Sequence, residues 1–175
     1  MLKIITIIIA ILAAGVLIVA ATKPDTFRVQ RAASIKAPPE KVFTLINDFK
    51  RWDAWSPWEK KDPVMKRTWG AVTNGKGAYY AWEGNSDVGQ GSMEIAESVP
   101  SSKITLKLDF VKPFEGHNVV EFTLEPRGDV TNVTWAMQGP APFLSKVIQV
   151  FCDMDNMVGK DFEAGLASMK AAAEK

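Results

Sequence analysis

Cysteine and histidine are almost absent from this chain: Cys152 and His117 stand alone among 175 residues. An internal disulfide cannot close, and zinc has no Cys/His ligand set to occupy, so no metal site is expected. Net charge is nearly absent too. With 21 basic side chains against 20 acidic ones, the chain lacks the basic stripe that a phosphate backbone requires, which argues against nucleic acid as a partner. No cofactor is expected either. What is abundant is apolar material, 47% of the residues with six tryptophans and nine phenylalanines, enough for one globular core.

The apolar residues are unevenly spread. Residues 4–21 carry no charge and no proline, and about 18 such positions reach the lower range for crossing a bilayer core. Residues 1–21 therefore read as a retained transmembrane anchor or, because Val19-Ala20-Ala21 resembles a small-residue cleavage site, as a secretory signal. The length favours the anchor and a single-pass protein of the cell membrane; cleavage would make it an exported soluble protein. Lys3 precedes the span while Lys23, Arg28, Arg31 and Lys36 follow it. That count favours a cytoplasmic domain, but a short basic head also suits an export signal, and the side stays open. Residues 22–25 form a linker, and 26–175 a single domain.

Within that domain the pattern changes to strand and helix periods. Phe27, Val29, Ala33 and Ile35 alternate with polar neighbours, which predicts a strand, while Arg31 falls on its apolar face. Pro39 and Glu40 suit the first turn of a helix that buries Val42, Phe43, Ile46 and Phe49. An aromatic turn with Trp52, Trp55 and Trp58 follows. Six further strand-length pieces, separated by Gly, Pro, Asn and Asp, predict an antiparallel meander apolar on one face. Its cover is a C-terminal helix on which Val147, Phe151, Met154, Val158, Phe162 and Met169 recur at helical spacing, with a bend near Asn156 or Gly159. Gly165 lies on the same stripe and permits close approach to the sheet or a ligand.

Ile35-Lys36-Ala37-Pro38-Pro39-Glu40-Lys41-Val42-Phe43, then Asp48, Trp52, Trp55-Ser56-Pro57, Gly75-Lys76-Gly77, Tyr80-x-Trp82-x-Gly84 and Gly165-Leu166 resemble the polyketide cyclase/dehydrase branch of the START-like (SRPBCC) helix-grip superfamily. The resemblance implies an α+β fold, a curved antiparallel sheet of about seven strands around a long C-terminal helix. It also implies a deep apolar cavity between the two, of the kind used for lipids, sterols, polyketides and hormones. No catalytic motif carries over.

On the strand faces so read, Tyr80, Trp82, Met93, Phe110, Phe122, Trp135 and Met137 should line the concave side, with Phe151, Met154 and Val158 opposite. Asn118 is the amide in register with them, an orienting hydrogen-bond donor. Trp52 and Trp55, with Trp58, stand at the expected cavity mouth or form a hydrophobic plug under the sheet. The leading expectation is a membrane-tethered module that binds a hydrophobic small molecule or lipid. A cyclase- or dehydratase-type enzyme on a polyketide-like substrate is the alternative, and its catalytic residues are unknown. It needs a buried acid or base, and the nearest strand carboxylates, Glu83, Asp109 and Glu121, are expected to point outward. A co-chaperone-like protein-binding module is the third reading. Cys152, beside the apolar stripe, is expected to be a small packing residue, and His117 a surface histidine.

Overall fold

The computed structural model describes residues 2–175. Helix α1 (Leu2–Thr22) is apolar all round, and from Lys3 onward only Ala20 is buried, with Val16 half-buried. Strand β1 (Thr26–Ile35) leads into α2 (Pro39–Asn47), whose first turn holds Pro39 and Glu40 and whose buried face is Val42 and Ile46. The helix end leaves carbonyls without intrahelical partners. Two tryptophans take them: Trp55 Nε1–H donates to Leu45 O and Trp52 Nε1–H to Ile46 O, both at 2.9 Å. The aromatic turn is thus first a device that seals α2. It continues as a 3-10 helix (Phe49–Ala54), started by Asp48 accepting the Lys50 N–H, and as the one-turn α3 (Pro57–Lys61).

Strands β2 (Lys66–Trp69), β3 (Tyr79–Glu83), β4 (Gln90–Val99), β5 (Lys103–Lys112), β6 (Gly116–Arg127) and β7 (Val130–Pro140) complete a seven-stranded sheet in the order β1-β7-β6-β5-β4-β3-β2. Every neighbouring pair is antiparallel. The expected α+β helix-grip arrangement is what the chain adopts. The register also defines two ends of the sheet. At one, Thr26 opposes Pro140, Arg28 and Val119 both oppose Gln138, Phe110 opposes Gly116 and Gln90 opposes Glu83. This end, where α1 joins β1, also carries the turns at residues 84–89 and 113–115. The far end carries the turns at 100–102 and 128–129.

The C-terminal segment departs from the expected single helix. It breaks into α4 (Phe143–Phe151) and α5 (Met154–Ala173) because Asp153 is an N-cap, its carboxylate accepting the Asn156 N–H at 3.0 Å. The break takes Phe151 out of the buried stripe and leaves it 73% exposed. Helix α5 lies against β1 and buries Phe162, Leu166 and Met169. At Gly165 a Cβ would stand 2.7 Å from the Trp135 ring, so the missing side chain brings helix and sheet together. At Gly159 a Cβ would meet the Arg31 guanidinium. The open space lets Arg31 cross the helix to Asp155 (3.0 Å) and Glu163 (2.7 Å), which explains an arginine on the apolar face of β1.

Candidate functional site

Between the concave face of the sheet and α5 lies a cavity of about 280 Å³, near the lower end of the roughly 300–1,000 Å³ of small-molecule sites. Among the residues anticipated for it, the structure brings Trp52, Tyr80, Trp82, Met93, Phe110, Trp135, Met137 and Val158 to its wall. Trp58 joins them from α3, and Met157, Asp161 and Phe162 from α5. Five others are placed elsewhere. Trp55 and Phe122 are wholly buried, with ring centroids 5.9 Å apart, and belong to the core beneath the cavity. Phe151 points outward on α4, as the helix break requires, and Met154 lies one turn further out on α5 than Met157 and Val158. Asn118 is on the concave face but folds onto β7, where Gly139 has no side chain to keep its amide away. It therefore does not reach the cavity.

Polar groups of the wall come from places a strand-by-strand reading does not search. Glu59, on α3, lines the cavity and accepts hydrogen bonds from Arg67 Nη2 (2.6 Å), Arg67 Nε (2.9 Å) and Tyr80 Oη (2.9 Å). Burial, reinforced by the nearby Glu59 charge, raises the Tyr80 phenol well above the ordinary tyrosine range, so its hydroxyl stays a donor. The hydrogen bonds to Glu59 likewise raise Arg67. The signal in the sequence is Ser56-Pro57-Trp58-Glu59, a proline at the first helical position with an acid in the first turn.

One indole N–H behind the wall is uncommitted. Trp82 Nε1–H donates to Val88 O at 2.9 Å, and the Trp52 indole is committed to α2. Trp135 Nε1 is buried without a hydrogen-bond partner among the described residues, while its ring stacks on Phe162 at 4.1 Å and 9°. A buried N–H left unpaired costs about 1–3 kcal/mol. The exposed part of the rim consists of Lys61, Asp87 and Met157, and the Lys61–Asp161 ion pair at 2.7 Å joins α3 to α5 across it.

The residues weighed for catalysis lie away from this wall. His117 is exposed on β6, its Nδ1 2.6 Å from Asp109 Oδ1, and the Asp109 carboxylate raises its pKa. Glu121 pairs with Lys103 at 3.2 Å, and Glu83 is exposed. Cys152 is exposed rather than packed, because the turn between α4 and α5 lifts it off the core. No group of His, Cys, Asp and Glu side chains suited to a metal ion occurs among the described residues.

A curved sheet gripping a C-terminal helix over an apolar cavity defines a helix-grip cavity protein. The chain belongs to the polyketide cyclase/dehydrase and lipid transport family, whose model matches residues 26–174. Among solved structures it is similar to protein CV1439 of Chromobacterium violaceum, with 16% identity, TM-score 0.60, and coverage of 87% of this chain and 99% of that one. It is also similar to the Aha1 dimer of Colwellia psychrerythraea, with 16% identity, TM-score 0.62, and coverage of 85% and 96%. A third is the di-domain ARO/CYC StfQ of the steffimycin biosynthetic pathway, with 12% identity, TM-score 0.62, 85% of this chain and 51% of that one. At these identities the likeness is one of fold. No curated protein matches the chain significantly.

Proposed function

We propose that this chain is a membrane-tethered module that holds an apolar or amphipathic small molecule in the cavity between sheet and α5, with α1 as the tether. The observation that carries the reading is the cavity wall itself: aromatic and methionine side chains, interrupted by Tyr80 and by Glu59, which Arg67 holds from behind. Burying about 300 Å² of ligand at about 25 cal/mol per Å² gains roughly 7 kcal/mol. Association consumes part of that, so useful affinity needs a polar contact as well. The tether rests on α1, which is long and apolar enough to cross a membrane and packs little of its surface on the domain.

The test is titration of the detergent-solubilised full-length protein with the apolar fluorophore 1-anilinonaphthalene-8-sulfonate. Saturable quenching of tryptophan emission, lost in Val158→Trp, supports the reading, and non-saturable quenching indifferent to that substitution refutes it. Amino-terminal sequencing of the membrane fraction decides the tether, since a mature protein starting at Thr22 defeats it.

A cyclase- or dehydratase-type reaction is the second reading, favoured by the placement of Tyr80 and Glu59 on the cavity wall. Against it, both Glu59 oxygens are already engaged, one by Tyr80 and one by Arg67. A carboxylate so held serves orientation better than proton abstraction.

A further inference from the structure

The most exposed apolar residues of the domain are not scattered. Outside α1, the large apolar side chains more than half exposed are Val64, Val111, Phe114, Phe143, Leu144, Phe151 and Met157. All seven lie at the α1 end of the sheet. Val111 and Phe114 flank or occupy the β5–β6 turn, and Val64 precedes β2, whose first residue Lys66 opposes Glu83 at the same end. Met157 is in the first turn of α5, whose other end reaches the far end of β1 through Lys170 and Glu174. The far turns, at 100–102 and 128–129, carry Ser101, Ser102, Gly128 and Asp129, and the exposed apolar residues toward that end, Trp69, Val72 and Val99, are each less than half exposed.

Helix α4 is the centre of this face, and it is built inside out. Its apolar residues Phe143, Leu144, Ile148 and Phe151 are exposed. Its covered side is partly polar: Lys146 is buried and paired with the exposed Asp25, Gln149 Nε2 is buried without a partner among the described residues, and Val147 and Val150 are half-buried beside them. A surface helix in water buries its apolar stripe instead. Helix α4 is also the element on which α1 packs, which places it beside the apolar span.

We infer that the α1 end of the domain is a bilayer-docking face, with α4 lying in the lipid interface and Phe114 and Val64 as flanking insertions. The inference rests on α1 being a retained anchor, and it deepens the proposed function. Its occupant is the lipid surface rather than a second protein because the face is continuous with the helix that enters the membrane, and an apolar helix face paired with a buried polar one suits an interfacial helix. The cavity rim at Asp87 and Met157 is at this same end. A ligand can then pass between bilayer and cavity without crossing water, once the Lys61–Asp161 pair parts.

The test uses full-length protein in a Cys152→Ser background, reconstituted in vesicles of equimolar phosphatidylcholine and phosphatidylglycerol. Bimane labels are placed at Leu144→Cys, Phe114→Cys and, at the far end, Asp129→Cys, all on exposed positions that leave the core intact. The expected result is quenching by doxyl-labelled lipid several-fold stronger at the first two than at Asp129→Cys, with aqueous iodide giving the reverse order. Equal, weak lipid quenching at all three, with α1 present by intact mass, overturns docking while leaving the tether standing. Labels at Leu144→Cys and Phe114→Cys shielded from both quenchers overturn it in favour of a protein covering the face. An intact mass lacking α1 overturns tether and docking together.

Discussion

Trp55 separates stability from binding, because it shares the aromatic turn with cavity residues but not their position. It is wholly buried, packs on Trp52, Phe122 and Trp135 at ring distances of 4.7, 5.9 and 5.4 Å, and caps α2 through Leu45 O. Truncation to alanine would cost about 3–5 kcal/mol for the void. The stranded carbonyl adds about 1–3 kcal/mol, which together approaches the whole stability of a domain, about 5–15 kcal/mol. Trp55→Phe is the better perturbation, since it keeps a ring in place while deleting the N–H and part of the contact. Its cost is about 1–3 kcal/mol, and at roughly 2–4 °C per kcal/mol for a chain of this size the Tm falls by about 2–12 °C. The assay pairs thermal unfolding with the fluorophore titration at a temperature where both proteins are folded. The expected outcome is a lowered Tm and an unchanged Kd. An unchanged Tm with weakened binding would refute the assignment of Trp55 to the core rather than the cavity.

Gly165→Val should destabilise by about 1–3 kcal/mol through overpacking, despite leaving a flexible residue, because the atom it meets belongs to the buried Trp135 ring; denaturant unfolding measures it. Glu59→Gln should lower stability by about 1–3 kcal/mol, since Arg67 loses its charged acceptor, and should shift ligand preference away from molecules with hydroxyl donors, read by competition against the fluorophore. His117 should titrate above the ordinary value of about 6.5 because Asp109 stabilises the imidazolium. The pair's contribution to stability is then present below the unfolded pKa and is lost as pH rises through the raised folded one. NMR of this lone histidine should show its midpoint return toward the ordinary value in Asp109→Asn.

The strand faces are legible in the sequence because alternation in β3 to β7 is regular, and six of the eight anticipated residues that reach the wall lie on those strands. What periodicity could not show is the break at Asp153, since one capping carboxylate ends a stripe that otherwise continues at helical spacing; Phe151 falls outside the wall for that reason. Asn118 failed for a different one, because the space that drew its amide aside is the absent side chain of Gly139 on the next strand. Glu59 is not legible in the strand faces because it reaches the cavity from a one-turn helix in the aromatic turn.

The most direct measurement of the central claim is native mass spectrometry of the full-length protein released from its own membranes, beside Val158→Trp, which fills the cavity from α5. A single apolar or amphipathic species bound stoichiometrically to the wild-type protein, and missing from Val158→Trp at unchanged Tm, is the predicted result. A wild-type protein that emerges empty, or a ligand retained equally by both, would contradict the account.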